Sequence, residues 1–179
     1  MEQFMIEKPE ELQSVMDRYS DMLFKIAYLR MGNTDDAEDI VQEVFCQYIK
    51  RTEGFHSQEH TKAWLIKVTL NACRKIWRSA WRRHRGDIGE IPMETLMTQS
   101  QDNDPAQELI GKEEGQKLIE AVMALPQKYR DVIHLFYYED MSVRQIAEIT
   151  GYKESTITSQ LTRGREMLKK RLKEDWDFE

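Results

Sequence analysis

The run from Ser142 to Leu172, SVRQIAEITGYKESTITSQLTRGREMLKKRL, constrains this chain more than any other stretch. Ser142 offers a hydroxyl to the unpaired amides of a first helical turn. Ile146, Ala147 and Ile149 supply an inward face, and Gly151 can take the positive φ that ends a helix. A second helix begins at Ser155 or Thr156 and buries Ile157 and Leu161, with small Ala147 where the two helices cross. Helix, glycine turn and helix together make a helix-turn-helix, whose second helix lies in the DNA major groove. The outward face of that helix carries Thr158, Ser159, Gln160, Thr162 and Arg163, followed by Arg165, Lys169, Lys170 and Arg171. Hydroxyl and amide groups suit base edges, and cations suit phosphates. An ordinary surface hairpin of helices has the same pattern, so the rest of the chain must decide.

The formal net charge of −6 over 179 residues is unexpected for a nucleic-acid binder, but the average hides segregation. Lys62, Lys67, Arg74, Lys75, Arg78, Arg82, Arg83 and Arg85 fall in one stretch that contains no acid. From Gly86 to Glu120 acids outnumber bases by nine to two. Two basic surfaces separated by an acidic connector fit this alternation, and local fields then matter more than the total. No stretch is long and apolar enough to span a bilayer, and Met1–Lys25 has no signal-peptide core, so no direct membrane insertion is expected. Cys46 and Cys73 lack ligand-like spacing and read as reduced, buried thiols of a cytoplasmic protein. No metal ligand set and no cofactor motif is present.

The apolar spacing predicts only helices. Pro9 suits the first turn of one running to about Met31, with Leu12, Val15, Met16, Tyr19, Leu23 and Ile26 on one side. Gly32-Asn33 breaks it, and Thr34 is expected to cap the next helix, whose first turn holds Asp35, Asp36 and Glu38. Ala37, Ile40, Val41, Val44, Phe45, Tyr48 and Ile49 form its apolar stripe. Asp39, Gln42, Glu43 and Gln47 stand opposite. The cluster DDAED resembles the magnesium-diphosphate motif of all-α prenyl-transfer enzymes. Those enzymes need a second acidic cluster and a far larger cavity, which favours a solvated or protein-docking face.

A polar loop from Thr52 to His60 leads to a long helix capped by Thr61, with Ala63, Trp64, Leu65, Val68, Ala72 and Ile76 inward. Lys67, Asn71, Arg74, Arg78, Arg82 and Arg85 recur every three or four residues as one stripe flanked by Trp77 and Trp81. Cations beside aromatic rings can hold a single strand, and a solvated basic helix with its tryptophans in the core is the plainer reading. Asp87 to Gln107 reads as a linker. A helix starting at Asp104-Pro105 places Leu109, Leu118, Ile119, Val122, Met123 and Leu125 on one face. Pro126 restarts the chain into a helix with Tyr129, Val132, Ile133, Leu135 and Phe136 in the core, and Asp175 to Glu179 forms an acidic tail. The expectation is an all-α chain of two small helical domains, 1–86 and 108–179, joined by a flexible acidic linker, 87–107.

Three blocks then carry a resemblance: GNTDDAEDIVQEVF (Gly32–Phe45), AWLIKVTLNACRKIWR (Ala63–Arg78), and ALPQKYRDVIHLFYYEDMSVRQIAEITG (Ala124–Gly151) continuing through TSQLTRGREML. In order and spacing they resemble the extracytoplasmic-function (ECF) sigma factors of the sigma-70 family, the small initiation subunits of bacterial RNA polymerase. The resemblance implies that 1–86 is region 2 and 108–179 is region 4. It implies that Asp39, Gln42 and Glu43 face the clamp helices of the polymerase's largest subunit. Lys67, Asn71, Arg74 and Arg78 would lie beside the melted −10 strand, with the loop of roughly Glu53 to Thr61 receiving an unstacked base. Thr158, Ser159, Gln160, Thr162 and Arg163 would read the −35 duplex, and region 4 would meet the flap of the second-largest subunit. A cognate anti-sigma factor, often membrane-anchored in this family, is also implied.

Two positions depart from the family pattern. Lys75 stands where many members carry Asp, and Thr158 and Gln160 stand where basic residues are frequent, which implies fewer phosphate contacts from that helix. No nucleophile with its base is present, so the expected role is promoter selection rather than catalysis. The rival reading is a self-sufficient helix-turn-helix repressor or activator. It requires a dimer with half-sites a helical turn apart, and it leaves Asp35–Ile49 and Trp64–Arg85 without a purpose.

Overall fold

The computed structural model describes residues 9–84 and 113–176. Among them are seven helices and no strand: α1 (Pro9–Met31), α2 (Thr34–Lys50), α3 (Gln58–His84), α4 (Glu113–Met123), α5 (Gln127–Tyr137), α6 (Val143–Thr150) and α7 (Glu154–Trp176). The all-α expectation holds. Contacts divide the chain into two compact units, Met1–Pro92 and Met93–Glu179. The expected linker 87–107, Arg85, the Asp104-Pro105 helix start and Leu109 lie outside the described residues.

In the first unit α1, α2 and α3 pack pairwise. Leu23, Ala27, Ile40, Val44 and Leu65 form the centre of the core, each essentially removed from solvent. Burial of such a side chain contributes about 1.5–3 kcal/mol. The boundaries of α1 fall at the expected residues. The cap of α2 falls one residue earlier than expected, on Asn33 rather than Thr34. Asn33 has an extended backbone (φ −146°, ψ 155°), and its Oδ1 accepts from the Asp36 amide at 2.8 Å. Its side-chain amide donates back to Asp36 Oδ2 at 2.8 Å. Asn and Thr are both good caps, and the residue that stays extended wins.

The cap of α3 also moves. Ser57 Oγ accepts from the His60 amide at 3.1 Å, while Thr61 lies inside the helix, buried, with its hydroxyl donating to the Ser57 carbonyl. The inward face of α3 is rotated from the expected one: Leu65, Ile66, Thr69, Leu70 and Cys73 are buried, and Ala63, Trp64, Val68, Ala72 and Ile76 are only partly so. On α2, Ile49 is 42% exposed and drops off the apolar stripe.

In the second unit α5 and α7 are the main packed pair, and α6 and α4 both lie against α7. Tyr129, Val132, Ile133 and Leu135 are buried as expected, Phe136 is partly exposed, and α7 extends through Trp176 into the expected tail. Two buried polar residues of α5 carried no apolar signal. His134 stacks on Tyr138 and lies 3.3 Å from Glu139. Arg130 donates from Nη2 to the carbonyls of Met123 (2.6 Å) and Leu125 (3.0 Å), tying the end of α4 to the start of α5.

Gly164 permits the close approach of α7 to α5. A Cβ there would lie 3.0 Å from Ile133 Cγ1 and 3.4 Å from Tyr129 Cβ. Gly164→Leu is therefore expected to destabilise the second unit by about 1–3 kcal/mol through overpacking. Amide hydrogen exchange in α5 and α7 measures it, and unchanged protection would show that the interface relaxes freely.

Candidate nucleic-acid and protein-docking surfaces

On α2, burial of Ala37, Ile40, Val44 and Phe45 turns the intervening positions outward. Asp39, Gln42 and Glu43 are all exposed and lie within one turn of each other, and Gln47 Nε2 donates to Glu43 Oε1 at 3.0 Å. The expected docking residues thus share a surface, one continuous with Asp35 and Glu38. Cys46 lies on it too. The expectation of two buried thiols holds for Cys73 and fails for Cys46, which is exposed. Val44 and Phe45 occupy the inward positions, and Cys46, three and four residues beyond Glu43 and Gln42, follows their face.

On α3, Lys67, Asn71 and Arg78 are exposed and Arg74 is half-exposed. Arg74 Nη1 donates to Asn71 Oδ1 at 3.2 Å, which joins two members of the stripe. Lys75 is exposed beside them. Trp77 is partly buried and packs on the first core, with its Nε1 enclosed. Side chains beyond Ala80 in this helix, Trp81 and Arg82 among them, lie outside the described residues.

The chain between α2 and α3 is shorter than expected, since residues 58–61 are already helical. It is held by stacked rings. Tyr48 and Phe55 are nearly parallel at 5.6 Å, and Trp64 meets both edge-on at 6.3 and 5.5 Å. The Arg51 guanidinium lies 4.4 Å from the Phe55 ring centre and 5.3 Å from that of Trp64. Cation–π contacts of this kind contribute about 0.5–1 kcal/mol at exposed sites. Arg51 Nε also donates to the Glu53 carbonyl at 2.8 Å.

A cleft of about 600 Å³ opens between this loop and α1, lined by Glu11, Arg18, Tyr48, Arg51, Glu53, Phe55 and Gln58 among others. Burial, then the Glu11 carboxylate and the neighbouring Tyr19, raise the Tyr48 pKa above that of an ordinary phenol. Tyr48 is therefore a neutral hydroxyl on the cleft wall. Sequence reading missed this cleft, because Glu11 and Arg18 reach it from a helix far away in the chain.

In the second unit the helix-turn-helix forms as expected. Ser142 and Gln145 make a reciprocal capping box, and Gly151 ends α6 with φ 79°. Ile146, Ala147, Ile149, Ile157 and Leu161 are buried. The second helix starts at Glu154, slightly before the expected Ser155 or Thr156. Thr158, Ser159, Thr162 and Arg163 are exposed and Gln160 is partly so. The three hydroxyls donate to carbonyls one turn back: Thr158 to Glu154 (3.0 Å), Ser159 to Ser155 (3.0 Å) and Thr162 to Thr158 (3.1 Å). Their protons are engaged, so the lone pairs face outward as acceptors.

The sequence matches models of known families in both units: "Sigma-70 region 2" over residues 15–83 and "Sigma-70, region 4" over 115–168. ECF RNA polymerase sigma factor SigW of Bacillus subtilis (strain 168) is 29% identical over 164 residues, spanning 89% of this chain and 88% of the relative. RNA polymerase sigma factor SigV of the same organism is 30% identical over 156 residues, spanning 85% and 86%. In fold, the chain is similar to the sigma factor RpoE of Bartonella quintana, solved with the anti-sigma factor NepR (TM-score 0.69, 21% identity, 92% of this chain and 98% of that one). It is also similar to CnrH, solved with the cytosolic domain of CnrY (TM-score 0.65, 20% identity, 94% and 92%). With both sigma-70 regions matched in order and full-length relatives aligned along most of the sequence, this chain belongs to the ECF sigma factors of the sigma-70 family, which direct RNA polymerase in transcription initiation.

Proposed function

We propose a division of labour in which residues 1–86 grip core polymerase and the opened −10 strand, while 108–179 read the −35 duplex across a linker at 87–107. The observation that carries this is the separation of charge within one unit: a face on α2 with acidic Asp39 and Glu43 flanking neutral Gln42, and a stripe on α3 with cationic Lys67, Arg74 and Arg78 beside neutral Asn71. The acidic face suits the clamp helices of the largest subunit. The basic stripe suits the phosphates of a strand whose unstacked base enters the cleft beside Phe55 and Tyr48. Extruding that base costs a few kcal/mol, which stacking and edge hydrogen bonds offset.

Thr158, Ser159, Gln160, Thr162 and Arg163 are the proposed −35 readers. The outward lone pairs on Thr158, Ser159 and Thr162 fit the exocyclic amines that adenine and cytosine present in the major groove. The same unit meets the flap of the second-largest subunit. Catalysis belongs to the polymerase, and this chain supplies specificity. Among the described residues no helix is long and apolar enough to cross a membrane. We place the chain in the cytoplasm with its polymerase, held in reserve by an anti-sigma factor, as the complex of the structural neighbour RpoE with NepR suggests.

Arg74→Ala combined with Arg78→Ala tests the strand-capture part. Open-complex formation should fall on the order of tenfold or more, because two phosphate contacts are lost, and −35 duplex binding should change little. Equal losses in both would reduce the stripe to general attraction for DNA.

A further inference from the structure

Beside the last turn of α5, one cation of α7 is held in place by side chains of the neighbouring helix. Arg165 Nε donates to the Tyr137 hydroxyl at 2.5 Å, across 28 residues of sequence. The guanidinium carbon lies 5.6 Å from the Phe136 ring centre and 5.5 Å from that of Tyr137. The two rings meet edge to face at 5.1 Å. Arg165 is exposed and Tyr137 is 51% exposed, so this ordered cluster stands on the surface and not in the core.

Tyr137 orients this cation without neutralising it. Among the described residues Arg165 is in no ion pair. The α7 positions three and four residues away are Leu161, Thr162, Leu168 and Lys169, so no acid can pair with it along the helix. The phenol takes only Nε, which leaves the two Nη groups to grip an acceptor with two oxygens. Helical register then places that fork. Thr158, Thr162, Arg165 and Lys169 follow one another at intervals of three or four residues, along one line of α7. Arg165 thus extends the line of proposed base readers, about 10 Å beyond Thr158 at the ordinary helical rise. The major groove is about 12 Å wide, so a helix whose first turns reach base edges brings Arg165 to the groove wall, where the phosphates are.

We propose that Arg165 grips one phosphate of the −35 duplex, and that Tyr137, from outside the helix-turn-helix, is the positioning residue that aims it. This rests on the −35 reading above and adds to it a residue of α5 that acts through another side chain. A loose arginine gives up rotamer freedom when it binds, whereas one already bonded and flanked by rings gives up less. The contact also supplies charge to a helix whose Thr158 and Gln160 carry none.

The test uses the full chain assembled with core polymerase, on duplexes with the preferred and with altered −35 sequences, over a series of salt concentrations. Arg165→Gln should weaken binding to all sequences alike and reduce the slope of log K against log salt by about 0.9, the value for one phosphate. Arg165→Lys should keep the slope, because the charge remains. Tyr137→Phe keeps the ring pair and loses only the hydroxyl, so a purely structural tyrosine predicts no change; at least half of the Arg165→Gln slope loss is expected instead. An unchanged slope for Arg165→Gln would overturn the contact, and a fall in affinity for core polymerase in its place would assign the cation to a protein surface. An unchanged slope for Tyr137→Phe would overturn the positioning role. If the wild-type assembly does not discriminate −35 sequences at all, the parent reading has failed. If it discriminates and the variants match it, only this inference has.

Discussion

Gln42→Lys combined with Glu43→Lys is expected to abolish binding to core polymerase while leaving the fold intact. The two substitutions change the charge at those positions from −1 to +2 on a surface otherwise marked by Asp35, Glu38 and Asp39. Like charges brought together at an interface cost several kcal/mol, so affinity should fall on the order of a hundredfold or more. Folding should barely notice. Both residues are exposed and sit in the middle of α2, away from its caps, and the one bond lost, from Gln47 to Glu43, is itself on the surface. Exposed charges contribute about 0–1 kcal/mol to stability. Competition against wild type for core polymerase, with a melting curve alongside, measures both sides. Full affinity in the variant would remove this face from the interface.

The largest effect on stability is expected at Arg130. Arg130→Met keeps the aliphatic stem and removes the guanidinium that serves Met123 and Leu125. Each buried acceptor left without a donor costs about 1–3 kcal/mol, so the pair should cost about 2–4 kcal/mol. For a unit of this size that lowers the melting temperature by roughly 10–25 °C. Arg130→Lys should lose less, since one ammonium can still reach one carbonyl. Hydrogen exchange across α4 and α5 in the full chain reports the change locally, and protection equal to wild type would mean that the two carbonyls find other donors.

Arg130 also marks where sequence reading ended. Its signal is that of an exposed cation in a polar stretch, and its burial depends on the chain turning back at Pro126 to place two carbonyls in reach. The helix-turn-helix was legible because its determinants are local: a cap at Ser142, a left-handed glycine at Gly151, and apolar positions a turn apart. The site residues of α2 were legible for a related reason, since a strong apolar stripe fixes its opposite face. The same stripe turns Cys46 outward, since helical register prevails there over the general tendency of thiols to be buried. Asn33 and Ser57 show the limit at helix ends, where neighbouring residues compete for one cap. The cleft beside Phe55 could not be seen at all, because its walls come from α1, α2 and α3 and meet only after folding.

The stack of Arg51, Phe55, Tyr48 and Trp64 has one consequence for how fast a promoter opens. A segment already locked by its own rings surrenders little freedom when a nucleotide arrives. On the proposed reading the barrier then lies almost wholly in the DNA, in unpairing and unstacking a single step. Initiation by this protein should accordingly respond steeply to torsional stress on the template, and only weakly to substitutions that loosen the loop's far side.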